Sequence, residues 1–441
     1  MVKDIKKIKQ TYENQYGSSQ LYLYDYYNND KDTVPVYQRK PVSQLKAASH
    51  TNIHINLFED IIQRKIGYMA SNIKIKVKDN NEDLIEQLNI FDASTNQHVN
   101  NIDSITLSSI SGLSHRLVYT LNGEIKIKNI PGWQVVYNYD HDIFKPTEAY
   151  YFYSKTNILG KRVDYCNIYD EKYVSYYIYS NNVWIPNPDL KPQPHNFNQV
   201  PLIPFQNNKT WKGDCDSALQ LMDVYDEIIS DTSGELKAAR LAYLKIWGDL
   251  YTGVDEDGNE ISIPDYLREF GTMLFGKDEM GNNLGDAQFL EKKLDDTSIQ
   301  NMLNRLRTHI FEVSGSVDLK ELSDNNNQRV FSIQAALSRL ENNAMITEQY
   351  AKAALRKQYE LVFYFYKEMG IGNWTVDDID ILFKREFIKD TDGLVNILLK
   401  LMSVTTVEDA YAISGLFEDP ESAAERYREE NPGAPDINEV W

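Results

Sequence analysis

Val200-Pro-Leu-Ile-Pro-Phe-Gln-Asn-Asn208 is a Pro-flanked apolar stretch that stops at an Asn pair, and the helical run Ser217 to Trp247 follows it. Asp223, Tyr225 and Asp226 lie near the start of that run, with no catalytic motif nearby. A segment of this kind organises architecture, which points to an assembly component rather than an enzyme. Leu219, Met222, Tyr225 and Ile229, then Leu236, Ala239, Leu241, Leu244 and Ile246, make a long apolar stripe, and Ser230 to Gly234 kinks or restarts the helix.

Downstream, residues 249–296 change character. Asp257-Gly258 and Gly281-Asn282-Asn283 are turn signals between short apolar strands, which predicts a small α/β insertion between two helices. The second helix opens on Thr297-Ser-Ile-Gln300, a capping-box pattern, and carries Ile299, Met302, Leu303, Leu306, Ile310 and Phe311 at helical spacing. A polar loop, Ser316 to Gln328, leads into a very long helix from Ser332 to Met369 that neither Pro nor Gly interrupts. Ile379, Ile381 and Phe383 alternate as a strand. Helices are expected over 390–402, 406–414 and 419–430, before a loose tail from Pro432 to Trp441.

Upstream, residues 1–50 read as an irregular arm with one short helix, and Asn28-Asn29-Asp30 turns the chain. Leu57, Ile61, Ile62, Ile66 and Met69 predict a helix over Asn56 to Met69. Ile73, Ile75 and Val77 alternate with Lys74, Lys76 and Lys78, a half-exposed strand with a basic outer face. Helices are expected over Leu84 to Phe91 and Asn101 to Gly112. Residues 114–180 are strand-rich, with a hairpin across Asn122-Gly123 and further strands at Trp133–Tyr139, Tyr150–Tyr153, Arg162–Ile168 and Tyr173–Tyr179. Pro186 to Pro194 closes the region as an extended linker. The 30 tyrosines concentrate in 12–26 and 137–179, which suits either strands whose far face meets a partner or an ordinary amphipathic sheet.

A chain of 441 residues holds two or three domains with a sizeable core. The net charge of −19 argues against a groove that grips DNA, because phosphate binding works by neutralisation and counterion release. Duplex can still pass an acidic wall without sticking, and solubility alone also accounts for the charge. No apolar run is long enough to predict a membrane helix, and the charged start Met1-Val-Lys-Asp-Ile-Lys-Lys does not resemble a secretory signal. Cys166 and Cys215 form no CxxC pair, so zinc and disulfides are not expected and a reducing compartment fits. The P-loop, dinucleotide, zincin and nucleophile-elbow motifs are missing, and no cofactor is expected.

Five acidic or polar groupings have a functional reading beside an ordinary one. Asp255-Glu-Asp257-Gly258 has Gly253 and Pro264 where a calcium loop would place its first and last ligands, so it reads as a hairpin turn. His50 and His54 have no evident third ligand. Asp223, Asp226 and Glu227 fit a solvated acidic helix face better than an ion site, since carboxylates there complement the helix dipole. Asp377, Asp378 and Asp380 read as a strand entry, with Asp380 facing water. The loop carrying Lys320, Glu321, Asp324 to Asn327 and Arg329 is either an ordinary surface loop or a mobile tip that touches a ligand intermittently.

A set of landmarks in order carries a resemblance. They are Asn52-Ile-His-Ile-Asn-Leu-Phe-Glu-Asp-Ile-Ile-Gln-Arg-Lys-Ile-Gly-Tyr68, then Ser109-Ile-Ser-Gly112 leading into Val118-Tyr-Thr120, then Val200 to Asn208. Leu221-Met-Asp-Val-Tyr-Asp226, Ile310 to Ser314, and Leu401-Met-Ser403 to Glu430 follow. The pattern resembles the portal proteins of tailed bacteriophages, of the type in phages of Gram-positive hosts, from about Tyr22 to about Glu430. No single motif is diagnostic; order and spacing carry the likeness. It departs at Ser332-Ile333, where such proteins often have Ser-Gly before the long helix, and in a short C-terminal part.

The resemblance implies an α+β subunit of a homo-oligomeric ring, a dodecamer in capsids, at one vertex of the virion and made in the host bacterial cytoplasm. Duplex DNA would pass through its channel in packaging and ejection. Its partners would be the terminase, head–tail adaptors, scaffold and major capsid protein, with no membrane and no enzymatic step. Residues 1–50 would be an arm, 51–215 with 371–389 the wing, and 216–248 and 297–315 the stem helices. Residues 249–296 would be the clip, with Asp257, Tyr266, Phe270 and Phe275 toward adaptor and motor. Residues 316–331 would be the tunnel loop, with Lys320, Asn325, Asn326 and Arg329 toward DNA. The long helix over 332–370 returns to the wing, and 390–430 would form the crown. Two other readings compete: another structural oligomer of the head or baseplate, and a nucleic-acid-processing enzyme with a split carboxylate site. The second lacks clustered acids and a basic track.

Overall fold

The computed structural model describes residues 4–41, 50–156, 160–239, 243–248, 250–251, 274–275, 280, 285–290, 296–318, 330–385, 398, 400–402, 406–414 and 420–430. The architecture is α+β. Helices α1 (Ile5–Tyr12) and α2 (Ser18–Tyr27), joined by a π-helical turn at Glu13–Gly17, precede α3 (Leu57–Met69), β1 (Ile73–Val77), α4 (Glu82–Thr95) and α5 (Gln97–Ser111). Strands β2 (Leu113–Leu121), β3 (Glu124–Pro131), β4 (Val135–Asn138), β5 (Glu148–Thr156) and β6 (Arg162–Tyr169) follow. Next come β7 (Tyr173–Ser180), β8 (Val183–Pro186), β9 (Gln193–Pro194) and β10 (Leu202–Gln206). The remainder is α6 (Leu219–Ala239), β11 (Tyr243–Gly248), β12 (Leu250–Tyr251), β13 (Leu274–Phe275), β14 (Gly285–Leu290) and α7 (Asp296–Val313), then α8 (Val330–Glu368), β15 (Ile379–Phe383), α9 (Val407–Ser414) and α10 (Pro420–Glu430). These elements form two compact units: one from Met1–Tyr24, Asp60–Asp214 and Gly315–Trp441, the other from Asp25–Glu59 and Cys215–Ser314.

In the first unit, short polar residues set the helix ends. The Asn81 side chain accepts from the Leu84 amide and caps α4, and Asn96 in the left-handed region separates α4 from α5. Gly112 ends α5 at φ +84, and a Cβ there would lie 1.9 Å from the Trp211 carbonyl oxygen, so only glycine fits. Asn122 and Gly123, both at positive φ, turn β2 into β3 with Leu121 opposite Glu124, the two-residue hairpin the sequence predicts.

The Val200–Asn208 stretch becomes β10, buried along its whole length at one edge of the antiparallel sheet β10-β2-β3. An edge position tolerates Pro204, which has no amide to donate. Alternation sends Leu202 to one core with Leu117, Ile130 and Val135. Ile203 and Phe205 face the other core, with Leu355, Tyr359, Val362 and Phe363 of α8. Emptying one such ring, as in Phe205→Ala, costs about 3–5 kcal/mol. The strand predicted at Ile379–Phe383 pairs antiparallel with β1, Ile75 opposite Ile381, and Asp380 faces water near Lys78 at 3.3 Å. Asp378 caps the turn before it through Thr375, and Asp377 meets Arg356 at 3.0 Å, as a strand entry requires.

The six-stranded antiparallel meander β4-β5-β6-β7-β8, with β9 beside β7, is amphipathic at period two. Ala149 and Tyr151 belong to one buried cluster, while Tyr150 and Phe152 belong to another that includes Ile5 of α1. The expected irregular arm is therefore corrected over 5–27. Asp4 caps α1 by accepting from the Lys7 amide, Ile5 is buried against the sheet, and the Tyr12 hydroxyl donates to the Gly132 carbonyl at 2.9 Å. Ile5, Ile8 and Tyr12 recur at helical period and give α1 one face to bury.

At the centre of this unit lies Arg116 of β2, fully buried. Its Nε donates to Asn129, one terminal nitrogen to Asn101 and Gln358, and the other to the Asn100 carbonyl and Ser104, all between 2.6 and 3.0 Å. The guanidinium also sits 4.6 Å from the Phe205 ring centroid. All five N–H groups are thus satisfied by neutral acceptors drawn from α5, β3 and α8. In the same unit α9 and α10 pack through Tyr411, Ala423 and Ala424.

Candidate channel and docking segments

The second unit contains the span over which the resemblance implies two stem helices and a clip. Met222 and Tyr225 of α6 are buried, as are Leu303, Leu306, Ile310 and Phe311 of α7, and the two helices pack on each other. Helix α7 begins at Asp296, so Thr297 sits inside its first turn rather than at the cap position the capping-box pattern suggested.

Helix α6 ends at Ala239, and the predicted continuation to Trp247 is corrected. Tyr243-Leu-Lys-Ile-Trp-Gly248 is a strand, antiparallel to Gly285-Asp-Ala-Gln-Phe-Leu290, with Tyr243 opposite Leu290 and Gly248 opposite Gly285. Leu244 and Ile246 fit a helical stripe and a strand face equally, and pairing with a distant partner strand decides between them. A second pair, Leu250 with Phe275 and Tyr251 with Leu274, lies beyond the first along the chain. β11 and β14 thus form a β-ladder neck that lies between α6 and α7 in the chain.

The acids near the start of α6 are not a solvated face. The Asp226 carboxylate is 2% accessible; its Oδ2 lies 2.5 Å from His54 Nδ1 and its Oδ1 accepts from the Ile55 amide at 3.0 Å. Asp223 accepts from the Tyr26 hydroxyl at 2.9 Å, and burial pushes its pKa up, with the Asp226 charge adding to the effect. Ser230 closes the strap: its carbonyl accepts from Thr51 and its hydroxyl from the Ile53 amide. Only Glu227 follows the expectation of an exposed acid, and it lies 3.3 Å from Arg39. The acids serve to hold residues 51–55 along α6. Their partners lie 171 to 197 positions away in sequence, so the legible hint was His54 itself. Among the described residues no group of three or more His, Cys, Asp or Glu side chains is arranged to hold a metal.

In the first unit, the Asn pair that ends the Val200–Asn208 stretch is a junction. Asn207 accepts from Lys65 Nζ at 2.9 Å and from the Thr347 hydroxyl at 2.9 Å, and donates to Asp214 at 2.8 Å; Lys65 also pairs with Asp214 at 2.9 Å. One buried polar knot thus ties α3, the 207–214 turn and α8. Gly315, at φ +66, starts the segment that runs from 315 to 318 toward the polar loop.

The sequence matches the family model described as phage portal protein, SPP1 Gp6-like, over residues 5–434. The chain belongs to this family of phage portal proteins. It is also similar to the portal protein of Bacillus phage SPP1, at 22% identity over 298 residues, covering 63% of this chain and 56% of that protein, so the match spans little more than half of the relative's length.

The family match includes the whole span from Tyr22 to Glu430 over which the landmarks were read. Of the residues singled out in this portal protein, Lys320, Asn325, Asn326, Arg329, Asp257, Tyr266 and Phe270 lie outside the described residues. Phe275 is placed by its backbone, in β13. Among the described residues no helix is long and apolar enough to cross a membrane.

Proposed function

We propose that this portal protein assembles as a homo-oligomeric ring, a dodecamer in the capsid, at one vertex of the phage head. Duplex DNA passes through its channel during packaging and ejection. In this reading α6 and α7 are the stem, 249–296 the clip that receives the terminase and then head–tail adaptors, and 316–331 the tunnel loop. Residues 51–215 with 371–389 are the wing, and 390–430 the crown, with scaffold and major capsid protein as assembly partners. The subunit is made in the host cytoplasm and catalyses no step itself.

The family match over residues 5–434 carries this reading. Two further observations support it. The helices on either side of the insertion share one compact unit and pack together, as a stem requires, and residues 243–248 pair with 285–290 in an antiparallel ladder between them in the chain. The net charge of −19 suits a conduit wall that duplex passes without being held. Negative-stain microscopy of the purified chain tests the proposal: end-on views should show closed rings with a central hole. A species that stays monomeric at high concentration, alone and with a scaffold protein present, overturns it.

A further inference from the structure

A groove of about 370 Å³ opens in the first unit between the β2–β3 hairpin and the concave face of β5, β6 and β7. Tyr119, Tyr151, Tyr153, Tyr169 and Tyr176 line it, together with Lys128 and Lys155. No Asp or Glu lines it, although the chain carries 65 acidic residues against 46 lysines and arginines. On so acidic a protein, a recess that collects lysines and excludes every carboxylate is a local reversal of charge.

Among the described residues neither lysine is neutralised by a carboxylate. Lys128 Nζ donates to the Tyr151 hydroxyl at 2.9 Å, and Lys155 Nζ stands 5.5 Å from the Tyr153 ring centroid and 5.6 Å from that of Tyr165. Among the described residues no carboxylate pairs with either. Both ammonium groups are oriented by tyrosines and keep their charge available to an outside anion.

We propose that this groove is a docking site for an extended acidic peptide segment, rich in Glu or Asp and bearing proline, from a partner protein. Tyrosine-lined grooves suit proline-bearing extended chains, whose conformation is already stiff, and the hydroxyls and lysines give such a chain donors for its carboxylates. Charge complementarity commits the site to an anion, and ring geometry separates peptide from nucleic acid. A base-binding platform needs free aromatic faces. Here Tyr151 stacks on Tyr153 with centroids 4.9 Å apart, and Tyr153 stacks on Tyr165 at 5.3 Å, while Lys155 approaches the same rings. The rings turn on one another the faces that a base would use. The site depends on neither the channel nor the ring.

The test uses the full chain and a short fluorescein-labelled peptide of alternating Glu and Pro, read by fluorescence anisotropy at low salt. The peptide should bind, and the double substitution Lys128→Glu with Lys155→Glu should weaken it by about tenfold or more, as reversal of two contacting charges does. Both lysines are exposed on the surface, so the variant should keep the wild-type circular dichroism spectrum. Lys74→Glu with Lys76→Glu, on β1 and outside the groove, should leave binding unchanged. Absence of peptide binding, binding that survives the groove reversal, or equal loss in the β1 control overturns the proposal. So does a labelled oligothymidine that binds more tightly than the peptide and depends on the same two lysines.

Discussion

Arg116 shows how one side chain can set the stability of a unit. It is a buried cation with no carboxylate partner among the described residues, and burial pulls its pKa down to about 9, so it remains charged at neutral pH. Removing it leaves the Asn101 and Gln358 side-chain oxygens without their donor and strips one donor each from Asn129 and Ser104, which keep only their bond to each other there. Arg116→Met should therefore lower unfolding stability by about 3–5 kcal/mol in denaturant titration. Arg116→Lys should fall nearly as far, because an ammonium cannot reach acceptors arranged for a planar fork. A Lys variant of wild-type stability would mean that charge rather than geometry holds the site. Asp92 of α4 gives a pH signature. Among the described residues its Oδ1 has no hydrogen-bond partner, and burial pushes its pKa up to about 6. Between the unfolded value of 3.8 and about 6 the folded chain binds more protons than the unfolded one, so this group makes stability fall as pH rises through that window. Asp92→Asn should remove that component: the variant should gain Tm over wild type as pH climbs from acid toward neutral, with the gain complete above the folded pKa. A pH-independent difference would place the carboxyl in water. Neither role is readable from sequence, since the neighbours that bury these groups come from elsewhere in the chain.

At the level of elements, what the sequence makes legible is what is decided locally. Asn122-Gly123 fixes its own hairpin, Gly112 ends its own helix, and Leu57 to Met69 displays its own stripe. The β11 strand is different: Leu244 and Ile246 satisfy two periodicities, and only its pairing with residues 285–290 settles the matter. The strap 51–55 on α6 escaped for the same reason, because its carboxylates and their donors are far apart in sequence. The ladder also changes how the proposed clip should be removed. A deletion of 253–292 takes away β14 and leaves β11 without a partner. Replacing 253–284 with a short Gly-Ser linker keeps both strands of the neck. The shorter deletion should leave ring formation and Tm near wild type while abolishing tail or motor attachment in particle assays. The longer one should also lower Tm. Attachment that survives the shorter deletion would remove the clip assignment. The strap is tested by Asp226→Ala, which leaves His54 and the Ile55 amide without their acceptor and should cost about 1–3 kcal/mol in thermal or denaturant unfolding.

For the whole molecule, the acidic charge and the two basic residues Lys320 and Arg329 fit together in the ring proposed above. A single subunit at −19 repels duplex, and a pair of cations such as Lys320 and Arg329 is too weak to hold it. Repeated around a closed ring, the same pair presents many weak contacts to one duplex at once, and linkage multiplies them without creating a tight site. In the proposed ring, DNA would then be steadied while it still moves. Replacing Lys320 and Arg329 with Ala should accordingly leave ring assembly intact in end-on images. It should reduce the DNA retained by particles, more at low salt than at high, because the counterion-releasing contacts that the variant lacks, and the repulsion of the wall they offset, both weaken as salt rises. Loss of rings in that variant would place the two residues at the subunit interface. Unchanged packaging and retention at every salt concentration would take DNA contact away from the 316–331 loop.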